Sequence, residues 1–292
     1  MALFSTRTSA AGLSIASNTI LILLKLAVGI STGAVSVIAE AIHSSVDLLA
    51  AIIAFFSVRA SVRPPDADHQ FGHGKIEGVS GAIEGLLIFV GAGLIIFEAV
   101  DKLQHGSTLE QPLLGAAVML ISAVTNTFVS RHLHNMARKF DSLALEADAE
   151  HLRTDVITSV GVMGGLVLVA VFGIPALDPL LGLGVAVLII RAAWSITMKS
   201  YQALVDRSLP SDEVEVIEQV LDEHAQHYLE YHRLRTRKSG PQRYVTIDVV
   251  FLPDTPLELV HEIGDHLEEE IRAKLPNTSV LIHPEPPGTK DV

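Results

Sequence analysis

His43 and Asp47 lie four residues apart in the apolar stretch IAEAIHSSVDLLAAIIAFF, and His151 and Asp155 repeat that spacing in HLRTDVITSVGVMGGLVLVAVF. In a helix, positions i and i+4 share one face about one turn apart, so each pair aims both side chains in one direction. Two such helices facing each other offer four ligands. Ionisable groups in hydrocarbon cost roughly 3 kcal/mol each on insertion scales, so they persist there beside a partner or a water-filled cavity. Neutral imidazoles and two carboxylates suit a tetrahedral divalent cation, and two Asp charges cancel a 2+ ion. Zinc is the first candidate. One isolated His in an apolar helix reads more simply as a polar seam between helices. The duplicated spacing turns the reading toward a metal.

These residues must be positioned by long apolar helices. Of 292 residues, 49% are hydrophobic with mean hydropathy +0.42, and the apolar ones concentrate before position 200. Stretches at roughly 9–31, 34–60, 79–103, 112–134, 145–173 and 177–200 each reach the ~20 residues that a bilayer requires. The pattern predicts a polytopic α-helical membrane protein with six transmembrane helices over residues 1–208. Arg59, Arg63, Lys75, Arg131, Arg138 and Lys139 fall in the second and fourth connections, whereas the odd-numbered connections hold only Lys102. The positive-inside rule then places both termini in the cytoplasm. The first apolar segment is full length and lacks a cleavage site, so it reads as a retained span.

Cysteine is absent, which excludes disulfides, thiolate metal sites and cysteine nucleophiles. A net charge of -12 argues against nucleic acid as a partner. Between the second and third spans, SVRPPDADHQFGHGKIEG places Asp66, His69 and His73 at three- and four-residue spacing after Pro64 and Pro65 stop the helix. This is a second candidate metal cluster, with solvated loop histidines as the plainer alternative. Gly72, Gly74 and Lys75 lack the spacing and the Ser/Thr of a phosphate loop.

Over 209–292 the pattern becomes helix, strand, strand, helix, strand, enough for a small two-layer α+β domain carrying six histidines. His261-Glu262 and Asp265-His266 superficially suggest a zinc protease. The second His comes five residues after the first, not four, so the two do not share a helix face as that motif requires. Asn277-Thr278-Ser279 forms a glycosylation sequon that a cytoplasmic placement would leave unused.

In their order, His43-x-x-x-Asp47, FGHGKIE, His151-x-x-x-Asp155 and the LIHPEP ending resemble the cation diffusion facilitator family, over about residues 10–287. The resemblance implies a proton-coupled exporter of divalent transition metals, not an enzyme, in the cell (inner) membrane. It further implies a homodimer with a metallochaperone-like αββαβ cytoplasmic domain. His43, Asp47, His151 and Asp155 would form the transport site, in the combination associated with zinc; cadmium, iron and other divalent metals are further cargo. Asp66, His69 and His73 match the family's loop site. His232, Asp248, His261, His283 and Glu285 match a metal site in the cytoplasmic domain, with Asp248 where a His is common and Glu285 where an Asp is common. Lys75 and Asp206 match an ion pair joining the membrane and cytoplasmic parts. Zinc would thus be both cargo and a regulatory ion.

An imidazole titrates near 6.5, so a proton on His43 or His151 removes a metal ligand and adds charge beside the site. Metal and proton would then exclude each other while the helix bundle rocks between two openings. Lys25 inside the first span and Glu84 inside the third would pair or face an aqueous vestibule, with snorkelling of Lys25 preferred. Two other classes share these ligands. One is a membrane zinc sensor or storage scaffold that moves nothing; the other is a membrane zinc hydrolase, which needs an open coordination position.

Overall fold

In the computed structural model residues 6–32, 35–105, 112–172 and 177–288 are described; the side chains of some helical positions, His43 among them, lie outside the described set. The chain divides into two units, Met1–Tyr201 and Gln202–Val292.

The first unit is built from helices α1 (Arg7–Thr32), α2 (Val35–Ser61), α3 (Ile76–His105), α4 (Pro112–Phe140), α5 (Leu143–Phe172) and α6 (Leu177–Leu204), the last running just past its boundary. Among the described residues three stretches are long and apolar enough to cross a membrane: Arg7–Val28, Ile76–Gln104 and Pro179–Leu204. α5 is more polar because its first half carries Glu146, Asp148, Glu150, His151, Arg153 and Asp155. Such a helix is tolerated in an apolar setting when its polar face turns inward. α5 packs against α1, α2, α3 and α4. Its Ala144, Leu145, Ala149 and Leu152 meet Ala10 and Ala11 of α1, Val58 of α2 and Leu133 of α4. Small residues at these contacts let helix backbones approach closely.

α3 and α6 approach through glycine. A Cβ on Gly81 would strike the Ser200 hydroxyl, and one on Gly85 the Thr197 hydroxyl. Ile88 and Ala92 then meet Ile189 and Ala193 along the same pair. Phe56, Leu86, Phe97, Phe128, Val187 and Trp194 face outward, a surface suited to hydrocarbon rather than water.

A buried carboxylate ties the helix ends together. Glu77, at the start of α3, accepts from Ser61 Oγ at 2.7 Å and Ser142 Oγ at 2.7 Å, and Arg7 Nη1 lies 3.9 Å away. Ser142 also accepts from the Leu145 N–H at 3.4 Å, as an N-cap residue does, so the start of α5 is fixed to the start of α3.

The second unit contains α7 (Ser211–Glu223), a short 3-10 turn (Ala225–His227), β1 (Glu230–Ser239), β2 (Gln242–Val250), α8 (Leu257–Lys274) and β3 (Thr278–Glu285). β1 and β2 form an antiparallel hairpin turning at Gly240, whose φ of 59° suits glycine, and β2 pairs in parallel with β3 after the α8 crossover. Alternate β2 residues Val245, Ile247 and Val249 line one sheet face. Onto it pack Ile217, Val220 and Leu221 of α7 and Ile263, Leu267 and Ile271 of α8. Each fully buried Leu or Ile contributes about 1.5–3 kcal/mol. The opposite sheet face carries Asp248, His283 and Glu285 beside Val250 and Leu281.

Candidate metal centres

Asp47 of α2 and His151 and Asp155 of α5 each turn a ligand atom into one place, all within 4.8 Å of one another. His151 Nε2 lies 3.2 Å from Asp47 Oδ1, and both residues are buried. His43 stands one helical turn before Asp47 on α2; its side chain lies outside the described residues. Ser44, next to His43 in the chain, accepts a 2.7 Å hydrogen bond from Lys25 Nζ, and Lys25 is only 3% exposed. Lys25 therefore does not snorkel as its position in the sequence implies: a hydroxyl on the neighbouring helix satisfies it in place.

Glu84 of α3 is fully buried and accepts from Ser80 Oγ at 3.3 Å; Asp148 of α5 is also buried and accepts from Ser14 Oγ at 3.0 Å. Asp148 and His151 both lie within electrostatic reach of Glu84. The sequence offers Glu84 only Lys25 or an aqueous vestibule and leaves Asp148 unmarked. A signal was present: Asp148 precedes His151 by three residues, which places both on one helix face.

In the connection after α2, Asp66 Oδ2 lies 3.2 Å from His73 Nε2 and Asp66 Oδ1 lies 3.4 Å from His69 Nδ1. The two imidazole rings are 4.5 Å apart. The arrangement follows from local chemistry. Asp66 Oδ1 accepts from the backbone N–H groups of His69 at 2.7 Å and Asp68 at 3.1 Å, the turn that an Asp side chain makes with its own backbone. The His69 N–H foremost holds this carboxyl below the usual carboxylate range.

In the second unit, strand register decides which tail residues meet. His232 pairs across β1–β2 with Asp248, and Asp248 pairs across β2–β3 with His283. His232, Asp248 and Glu285 bring ligand atoms within 4.8 Å, and His232 Nε2 lies 3.2 Å from Glu285 Oε2. Arg233 Nη1 also reaches Asp248 Oδ2 at 3.4 Å. His283 is exposed at the rim, its Nε2 3.7 Å from Glu285 Oε1. His261 stands apart and faces Asp265 at 3.6 Å. The reason is topological: His261 rides on α8, which covers the sheet face opposite Asp248.

Asp206 lies 3.4 Å from Arg237 Nη1 of β1, within the second unit. Lys75 sits in the turn that opens α3, where its carbonyl accepts from the Gly78 and Val79 N–H groups. A further group, His224, His266 and Glu270, joins the end of α7 to α8; His266 and Glu270 lie four residues apart on one face of α8, and His224 reaches them from the end of α7.

The family profile described as the cation efflux transmembrane domain matches residues 12–205, and that of the cation efflux protein cytoplasmic domain matches residues 209–287. An uncharacterized transporter of Synechocystis sp. is 33% identical over 263 residues, spanning 90% of this chain and 85% of its own length. The cation-efflux pump FieF of Cronobacter sakazakii is 31% identical over 272 residues, spanning 92% of this chain and 89% of its own. A solved structure of the transporter CzrB in its zinc form is 36% identical, with a TM-score of 0.28, covering 30% of this chain and 99% of that one. An integral membrane chain with apolar helices, matched by both family profiles and by full-length relatives, belongs to the cation diffusion facilitator family.

Proposed function

We propose that this chain exports zinc from the cytoplasm in exchange for protons, with cadmium, iron and other divalent transition metals as lesser cargo. The observation that carries the reading is the approach of Asp47, His151 and Asp155 to within 4.8 Å of one another between two long helices. His43, one turn from Asp47, completes a two-imidazole, two-carboxylate set whose charge balances a 2+ ion. Relatives such as the cation-efflux pump FieF support the outward direction.

In this reading all six long helices cross the membrane, both termini lie in the cytoplasm, and two chains associate through the second unit. Asp66, His69 and His73 gather metal at the cytoplasmic entrance, and the group around His232, Asp248 and Glu285 makes the domain respond to metal.

Coupling to protons follows from ligand chemistry. A protonated imidazole has no lone pair for a metal, and its positive charge repels one. A proton arriving on His43 or His151 from the outer side thus helps to expel zinc, and zinc arriving from the cytoplasm displaces the proton. Glu84 and Asp148, beside His151, are the buried carboxylates that pass protons to it. Alternating access is the rocking of the helix bundle about this site.

The test is zinc flux into proteoliposomes that hold a zinc-sensitive dye, with and without an imposed pH gradient. Dye response should accelerate with the gradient and disappear in Asp155→Asn. Tight zinc binding without any flux in the unmodified chain would replace this reading with that of a sensor or storage scaffold.

A further inference from the structure

We infer that His224, His266 and Glu270 form an additional divalent-cation site, of zinc type, that clamps the end of α7 to α8. It lies on the helical layer of the second unit, whereas His232, Asp248 and Glu285 occupy the other sheet face, so the two groups are separate sites.

The geometry supports a metal. His224 Nε2 is 3.1 Å from His266 Nε2 and 3.4 Å from Glu270 Oε2, and His266 Nε2 is 3.9 Å from that same oxygen. Three atoms so spaced share a centre about 2.0 Å from each, the bond length that zinc makes to imidazole nitrogen and carboxylate oxygen. The three ligands leave further positions for water.

The tautomer is also set. His224 Nδ1 lies 2.9 Å from the Val220 carbonyl oxygen, which carries no proton, so Nδ1–H is the donor and the neutral ring presents the Nε2 lone pair inward. An outer hydrogen bond of this kind is what orients metal-ligating histidines. Glu270 divides its oxygens in a corresponding way. Oε1 accepts from Lys274 Nζ at 2.9 Å, while Oε2 is turned to the imidazoles. Lys274 is itself balanced by Glu223, whose Oε2 lies 3.1 Å from Nζ.

The ligands also differ in access. The His224 side chain is 16% exposed and that of His266 61% exposed, so two partly sheltered ligands stand ready and the third closes from solvent. A metal that bridges them ties His224, the residue that ends α7, to a helix 42 residues further along the chain. Zinc in the surrounding solution would thereby stiffen the α7–α8 layer.

The experiment uses the full chain purified in detergent and zinc alone as probe, counting zinc per chain by equilibrium dialysis. His266→Asn and Glu270→Gln should each bind one zinc fewer than the unmodified chain; His266 is exposed, so its replacement leaves the core intact. Hydrogen exchange supplies a second measure. At a hundredfold excess of zinc over its Kd, amides of the α7 end should exchange about 100-fold more slowly in the unmodified chain, and not in His266→Asn. Equal zinc counts in all three proteins, or the same slowing in His266→Asn, would overturn the proposal. Asp155→Asn should leave this zinc in place, which separates the site from the transport reading.

Discussion

Asp47→Asn removes one charge from the proposed transport site. Asn has the same shape and keeps a carbonyl oxygen at the position where Asp47 Oδ1 lies 3.2 Å from His151 Nε2. The three described ligand atoms fall within 4.8 Å of one another, so a cation among them stands no further than about 4 Å from the carboxylate charge. At an effective dielectric constant of ~20, a pair of unit charges at that distance attracts by about 4 kcal/mol. The retained amide oxygen returns a part, leaving about 3 kcal/mol, or roughly a 100-fold loss of zinc affinity. The assay is initial zinc flux into proteoliposomes as a function of zinc concentration. The half-saturating concentration should rise about 100-fold in Asp47→Asn, with unchanged protein yield and melting behaviour. A value within threefold of the unmodified chain would refute the assignment, because a buried carboxylate bonded to the cargo cannot lose its charge so cheaply.

Glu77→Ala strands the Ser142 hydroxyl proton, leaves Ser61 Oγ only the Val58 carbonyl at 3.1 Å and takes from Arg7 its nearby carboxylate, so it should cost about 1–3 kcal/mol and lower the detergent melting temperature. A melting curve that overlays the parent would contradict the junction. Gly85→Leu drives a side chain into Thr197 of α6 and should reduce the yield of folded protein, whereas Gly93→Leu, which meets open space, should not. Glu213 is held below the usual carboxylate range, chiefly by its hydrogen bonds from Arg243. A lowered native value contributes stability above the unfolded pKa and loses it as pH falls through the folded one. Hence melting between pH 6 and about 3 should fall more steeply in the parent than in Glu213→Gln; parallel profiles would sink the point.

The approach of His151 and Asp155 to Asp47 was legible because a helix converts four-residue spacing into a shared face, whatever the fold around it; the His43 side chain lies outside the described residues. The tail was legible for a similar reason: alternation in VTIDVV and the stripes of α7 and α8 name their own buried faces. Other features needed tertiary structure. Lys25 looks like a snorkelling residue until Ser44 of α2 is placed 2.7 Å away. His261 looks like a partner of His232 until α8 is seen to cover the opposite face of the sheet. His266 and Glu270 share a face of α8 by four-residue spacing, but only the packing of α7 on α8 brings His224 to them. The loop cluster falls between these cases, since Asp66 bonds to its own backbone and so draws His69 near by local chemistry alone.

The most direct measurement is anomalous scattering at the zinc edge from crystals of the zinc-loaded full chain. The account requires a peak between α2 and α5, about 2.0–2.2 Å from Asp47, His151 and Asp155 ligand atoms, with His43 as the fourth. Zinc bound elsewhere in the molecule, with that place empty at saturating metal, would contradict it.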